Sequence, residues 1–374
     1  MTGQKIGREP LIRIVKRDSM VRWQAWLIRI AAVVIALLIS AIVSAWLTDG
    51  ASMGYFFSGL FNGVFGTTRR IINLFQSTAI LLCIALAVAP AFKMRFWNIG
   101  AEGQVLMGGL GCVICIIYFG GKIPEWLLLI VMLVFSLLFG AVWTVIPAIF
   151  KAKWRTNETL FTLMMNYVAM QLVLVAIYSW VPQGTSMVLD VFTIGTLPKV
   201  GGSDYTINII IVAVLSIAVF LYFRFSKQGY ELSVVGESEN TAKYVGINVK
   251  KVIIRTMIIS GLLCGVAGYL LVAGTNHTLA ANTVGGRGFT AILIAWLGKF
   301  SPASMALTAF LYAFIEQGTT QVATNFSIGD SFSDVLTGIF FFLVIGCEFF
   351  INYKIKFRPR KKNMAENAAE EVTA

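Results

Sequence analysis

Long apolar runs alternate with short polar intervals along almost the whole chain. By hydropathy they fall near 25–47, 71–92, 104–119, 126–150, 159–181, 206–223, 252–273, 289–298, 302–320 and 332–351. About 20 apolar residues cross roughly 30 Å of hydrocarbon, and most of the runs have that length. The pattern predicts an all-α polytopic membrane protein of about ten transmembrane helices with broken or re-entrant segments. The eighth run is short: Gly285-Gly286-Arg287-Gly288 precedes it and Lys299-Phe300-Ser301-Pro302 ends it. It either spans with its flanks or forms a half-way hairpin with the ninth. The Gly- and Phe-rich stretch from Ser52 to Thr68 is too broken to span and is expected at the outer interface.

The polar string Asn98-Ile99-Gly100-Ala101-Glu102-Gly103-Gln104 sits between the second and third runs. A carboxyl at that depth is costly unless it meets a cavity or a partner group. The glycines loosen the helix where backbone polar groups must still be satisfied. Together with the break at 285–288 it gives two interrupted segments, the pattern that points to a transporter's pathway. No residue-level repeat relates the two halves. Asn98, Glu102 and Gln104 are therefore candidate path residues, joined by Asn166 and Gln171 in the fifth run. Glu102 fits either a path or hinge role, or the capping of broken backbone. Asn166 and Gln171 fit either contact with solute hydroxyls or base edges, or helix–helix bonding. Asn157 and Glu158, beside Lys151, Lys153 and Arg155, suit a helix start through capping and the dipole. Glu316 and Gln317 are weaker candidates, His277 reads as turn chemistry, and Glu348 is expected to snorkel or to pair with Lys354.

Composition agrees with the membrane reading: of 374 residues, 57% are hydrophobic and 13% charged, against about 25% charged in soluble domains. The net charge of +12 is a matter of placement, because 25 of the 30 Lys and Arg fall on one side of the predicted spans. That asymmetry puts both ends in the cytoplasm and removes the nucleic-acid reading. Residues 1–24 form a basic arm able to lie on anionic membrane lipid, 25–351 the transmembrane domain, and 352–374 a basic, then disordered tail. The longest outer loop is 182–204. The first apolar run is too long for a signal peptide and is expected to stay as an anchor. Cys83, Cys112, Cys115, Cys264 and Cys347 all fall in apolar runs. Cys112-x-x-Cys115 lacks a second pair or a nearby histidine and reads as helix packing rather than a metal site. No clustered His, Asp or Ser/His constellation suggests an enzyme.

Apart from the ends, one sizeable polar segment lies on the basic side, Arg224 to Lys251. Within it, 236–246 reads as a brief helix, capped by Ser238, favoured by Glu239 in its first turn and closed by Gly246. Two turns are too few to be stable alone, so the helix is either a capped linker or docks on something. Ala242, Tyr244 and Val245 offer a small apolar surface.

Phe96-Trp97-Asn98-Ile99-Gly100-Ala101-Glu102-Gly103-Gln104 resembles the F-N-I-G-A-E-G-Q signature of permease subunits of bacterial nucleoside-type ABC importers, within the family that includes branched-chain amino acid and ribose permeases. Asn157-Glu158 with Thr162-Leu163-Met164-Met165-Asn166-Tyr167 resembles that family's N-E-x-x-x-T-L-M-x-N-Y run. Gly229-Tyr230-Glu231-Leu232, Val235-Gly236-Glu237 and Ala242 through Ile247 resemble its cytoplasmic loop. Gly288-Phe289-Thr290 with Leu297-Gly298 resembles a later motif. The match covers about 70–350. The departures are Ser233 for an arginine, Ser238-Glu239 for asparagine-proline, and Arg287 for a small residue.

The resemblance implies a multi-pass subunit of the bacterial cytoplasmic membrane that pairs with a second related permease. It implies an ABC ATPase on the cytoplasmic face and an extracellular or lipid-anchored substrate-binding protein outside. Gly236, Glu237, Asn240, Ala242, Tyr244 and Gly246 would then couple to the ATPase. No cofactor is expected on this chain, ATP and Mg belonging to the ATPase, and no G-x-x-x-x-G-K-[ST] string occurs in it. The implied solute is a nucleoside or nucleobase, then ribose or another simple sugar, then a branched-chain amino acid. An ion-coupled secondary transporter is the alternative, and it would call for a relay of buried carboxylates.

Overall fold

Small residues let the central helix approach its neighbours closely, and the fold is arranged around that approach. The computed structural model describes residues 12–17, 21–47, 53–181, 189–327 and 329–357. The expectations for most of the N-terminal arm, for 182–188 and for the tail beyond 357 lie outside the described residues. In chain order the elements are β1 (Ile12–Lys16), α1 (Arg22–Leu47), α2 (Met53–Phe65), α3 (Thr68–Lys93), α4 (Ala101–Phe119), α5 (Glu125–Trp154) and α6 (Glu158–Trp180). There follow α7 (Thr206–Phe225), α8 (Lys227–Glu237), α9 (Glu239–Tyr244) and α10 (Val249–Leu271), which runs into a π-helical turn at Val272–Asn276. Last come α11 (Arg287–Leu297), α12 (Pro302–Asn325), α13 (Asp330–Asn352) and β2 (Tyr353–Phe357).

Among the described residues eight helices are long and apolar enough to cross a membrane: α1, α3, α4, α5, α6, α7, α10 with its π turn, and α13. The protein is thus an all-α polytopic membrane protein. Two of the ten apolar runs differ from these. Helix α12 has 24 residues, but Glu316-Gln317 and the Thr and Gln that follow make its second half polar. Helix α11 has 11 residues, about 16 Å, half of a crossing. Helix α2, with 13 residues, is likewise too short to span.

The chain forms two compact units. The larger, residues 62–317, is built on α10, which packs against α5, α4 and α3. Gly261, Gly265 and Gly268 recur along the face of α10 that meets α5 and α4, where an added Cβ would strike backbone. Lipid tails provide no hydrophobic drive between helices, so this close backbone contact is a main source of association. The Ser136 hydroxyl of α5 lies 2.7 Å from the Gly108 carbonyl oxygen and 2.8 Å from that of Gly265, bridging the three helices. All five cysteines are free and buried.

In the smaller unit, residues 1–61 and 318–374, α1 packs on α13. The Arg29 guanidinium holds Glu348 at 2.7 Å. Glu348 thus pairs across the two helices, not with Lys354 as expected, because Arg29 faces it from the neighbouring helix. The Thr319 hydroxyl lies 2.8 Å from that of Ser333 and 3.1 Å from that of Thr337, tying α12 to α13. Strands β1 and β2 form an antiparallel ribbon in which Ile12 opposes Phe357 and Lys16 opposes Tyr353. The N-terminal arm therefore carries a strand, which its basic composition did not suggest.

Candidate functional site

Helix α3 ends at Lys93, and Arg95 turns the chain with φ 60. Residues 96–100 then run non-helically before α4 begins at Ala101. Irregular backbone at membrane depth persists only where protein satisfies it, and side chains do so here. The Ile99 N–H donates to Thr162 Oγ1 at 3.1 Å, the Gly100 N–H to Asn98 Oδ1 at 3.1 Å, and the Gly103 N–H to Asn166 Oδ1 at 2.9 Å. Asn166 Nδ2 donates back to the Ile99 carbonyl at 2.9 Å. Asn98 and Gln104 exchange amide hydrogen bonds at 3.1 and 2.9 Å. Asn98, Gln104, Thr162 and Asn166 are all buried, so this network fastens α6 to the start of α4. Gln171, one turn beyond Asn166, is exposed instead.

Glu102 joins the two breaks. Its Oε1 accepts from the Gly286 N–H and its Oε2 from the Gly288 N–H, both at 2.8 Å. Gly286, at φ 78, is the N-cap of α11, in a region that favours glycine. A Cβ at Gly288 would lie 2.7 Å from Glu102 Cα, so the two helix starts nearly touch. Glu102 is also in the first turn of α4. One half-buried carboxylate therefore serves the positive ends of two helices. These bonds fit the capping of broken backbone, one of its two open roles.

The eighth apolar run folds as the short α11. Between the π turn and α11 the chain lies along α4: Leu279 approaches the Gly109 position, and Gly286 and Gly288 reach Glu102. Trp296 near the end of α11 stacks on Trp97 with centroids 5.5 Å apart. The other early candidates fall at helix junctions. Asn157 Oδ1 accepts from the Leu160 N–H at 3.2 Å and caps α6, while Lys151 holds Glu158 at 2.6 Å. Gln317 donates to the Gly63 and Arg70 carbonyls at 3.1 and 2.9 Å.

The polar segment folds as two helices with a break at Ser238, not as one. Ser226 caps α8 by accepting from the Gly229 N–H at 2.8 Å, and Ser238 caps α9 by accepting from the Thr241 N–H at 3.2 Å. Glu231 on α8 binds Arg255 on α10 at 2.9 Å. Gly246 leaves the short helix at φ 81. Ala242 is fully buried in a cluster with Met94, Phe96, Leu232, Val235 and Met257. Gly236 is also turned inward, against the Lys93 carbonyl. These two anchor the element to the chain and offer no outward surface. Glu237, Asn240, Tyr244 and Val245 face outward, and Tyr244 is 92% exposed.

A second polar cluster at the far end of α10 had no signal in the sequence. Gln76 Nε2 donates to Thr275 Oγ1 at 2.6 Å, and Asn208 Nδ2 donates to the Gly274 carbonyl at 3.0 Å. Single amides inside apolar runs show no periodicity, and only the fold brings Gln76, Asn208 and the π turn together. Residues 189–197 lie over this turn: the Phe192 N–H donates to the His277 carbonyl at 2.7 Å, and the Leu197 N–H to the Ala273 carbonyl at 2.9 Å. Burial lowers the His277 imidazole below its ordinary value, with nearby Asp204 and Lys199 acting in opposite directions. Among the described residues no group of three or more His, Cys, Asp or Glu could hold a metal ion.

Comparison with known proteins agrees with this architecture. The chain is 27% identical over 338 residues to a guanosine ABC transporter permease protein of Bacillus subtilis, covering 88% of this chain and 94% of that protein. It is 26% identical to a nucleoside ABC transporter permease protein of Lactococcus lactis, covering 85% of this chain and 90% of the other. It is 25% identical to a glucose ABC transporter permease protein of Haloferax volcanii, with 92% and 93% covered. The family described as branched-chain amino acid transport system, permease component, matches residues 70–345, and the chain, an ABC importer permease subunit, belongs to that family.

Proposed function

We propose that this permease carries a nucleoside or nucleobase into the cell across the cytoplasmic membrane. Its driving force comes from a separate ATPase, which itself binds ATP and Mg and grips the α8–α9 element. A second related permease completes the membrane part, and an external receptor delivers the solute. The observation that carries the ATPase reading is the α8–α9 element itself. It is held to the chain by Ala242, Gly236 and the Glu231–Arg255 pair, and it presents Tyr244 outward. A capped pair of short helices so firmly anchored, with an aromatic tip left bare, suits a partner that pushes on it. The nucleoside reading is supported by the guanosine and nucleoside permeases among the relatives. A second reading, import of a simple sugar, is favoured by the glucose permease.

Vesicles holding the chain with its ATPase, the second permease and the external receptor are expected to take up radiolabelled guanosine only with ATP, and glucose should not compete. Tyr244→Asp should lower that uptake roughly tenfold or more, as loss of a central interface aromatic does, and weaken co-purification of the ATPase while the variant still inserts. Uptake without the ATPase, or unchanged uptake by Tyr244→Asp, overturns the reading.

A further inference from the structure

Helix α6 meets the rest of its unit through one face only. Thr162, Asn166, Ala169, Val173 and Ile177 recur at spacings of three and four and are buried, toward α4. The opposite face carries Leu160, Met164, Tyr167, Gln171, Val175 and Tyr178 at the same spacing, all exposed. Two neighbouring crossings set the standard for a lipid-facing stripe. Through the middle of α5 the exposed positions are Ile130, Val134, Leu138 and Val142; across α7 they include Ile210, Val214, Ile217 and Leu221. Both stripes are apolar throughout, as hydrocarbon requires. The α6 stripe instead carries a carboxamide and two phenols.

Depth sharpens the contrast. Gln171 lies about 20 Å along a helix about 34 Å long, close to the middle of the crossing. Its amide has no hydrogen-bond partner among the described residues, while both amide atoms of Asn166, one turn earlier, are bonded. An amide facing lipid at that level would be stripped of water and given nothing in return. Hydrocarbon does not fit this face, and water does.

We propose that the exposed face of α6 is a wall of the aqueous translocation path. Gln171 and Tyr167 offer hydrogen bonds at mid-depth, and Tyr178 offers a phenol nearer the far end. The buried Asn98–Gln104–Asn166 network is scaffolding behind this wall and does not touch solute. The stripe has no Asp, Glu, His, Lys or Arg, so it suits neutral solutes rich in hydroxyl or amide groups, such as a nucleoside or a sugar, over a zwitterionic amino acid. This assignment rests on the import reading above and sharpens its solute class.

Thiol accessibility tests the wall without depending on solute identity. The five native cysteines are buried and leave a low background. Met164→Cys, Gln171→Cys and Val175→Cys, in the full assembly in membrane vesicles, should react with a charged thiosulfonate at least about tenfold faster than Val134→Cys and Leu138→Cys, because only hydrated thiols ionise. Guanosine should slow the labelling of Gln171→Cys and leucine should not. If the α6 positions react as slowly as Val134→Cys, the face is covered by lipid or by a dry subunit contact, and the proposal falls. Equal protection by leucine overturns the preference for neutral solutes. Fast labelling in an assembly that moves no nucleoside upholds the wall and removes only the nucleoside reading.

Discussion

Glu102 is a carboxylate spent on backbone. It accepts two N–H bonds from the start of α11 while standing in the first turn of α4. Hydrogen bonds to a charged group are each worth about 1.5–3 kcal/mol. Glu102→Leu removes both and leaves two part-buried donors bare, so it should destabilise the protein by about 3 kcal/mol. Glu102→Gln keeps one acceptor but turns an N–H toward another N–H, and should cost roughly half as much. Thermal melting in detergent beside an uptake assay reads both, and parent-like melting of Glu102→Leu would remove the capping role. The sequence marked Glu102 as costly at its depth, but its partners are 184 and 186 residues away in the chain. Both glycine-rich breaks were visible. That one carboxylate closes both was not, because no local pattern records such a contact.

At the level of elements, legibility follows what the bilayer fixes. Run length located α3 to α7 within a few residues, since hydrocarbon thickness sets it. Helix α8 left no apolar periodicity, because it docks chiefly through Leu232 and Val235 between polar residues and glycines. The Ser238 cap was readable, a short side-chain acceptor before an acid. Which of Ala242 and Tyr244 faces outward was not, because a six-residue helix makes less than two turns and has no repeat to read. The segment over the π turn carries its own prediction. Burial favours the neutral form of His277, so its contribution to docking is complete above its ordinary 6.5 and is lost as pH falls below that value toward the lowered one. Proteolytic nicking of residues 189–204 should therefore rise between pH 7.5 and 5.5, and His277→Asn should flatten the rise. A flat profile in the parent chain would contradict the assignment.

For the whole molecule, the distribution of charge makes the firmest statement. With 25 of 30 basic residues on one side, a fluorescent protein fused after residue 374 should mature in the cytoplasm. A phosphatase inserted between Lys199 and Asp204 should be active outside, and the reverse pattern would invert the orientation. Helix lengths needed the structure, since the eight long helices among the described residues, a polar α12 and the short α11 look alike to a hydropathy window.

The ribbon of β1 with β2 bears on biogenesis. Residues 12–16 leave the ribosome before every described crossing, yet their mates are residues 353–357. The first strand must wait through the insertion of every crossing with its edge open to strangers. A chain stopped at residue 352 would keep all the described membrane helices and still carry an unclosed seam, so clumping of such nascent fragments should begin at residues 12–16.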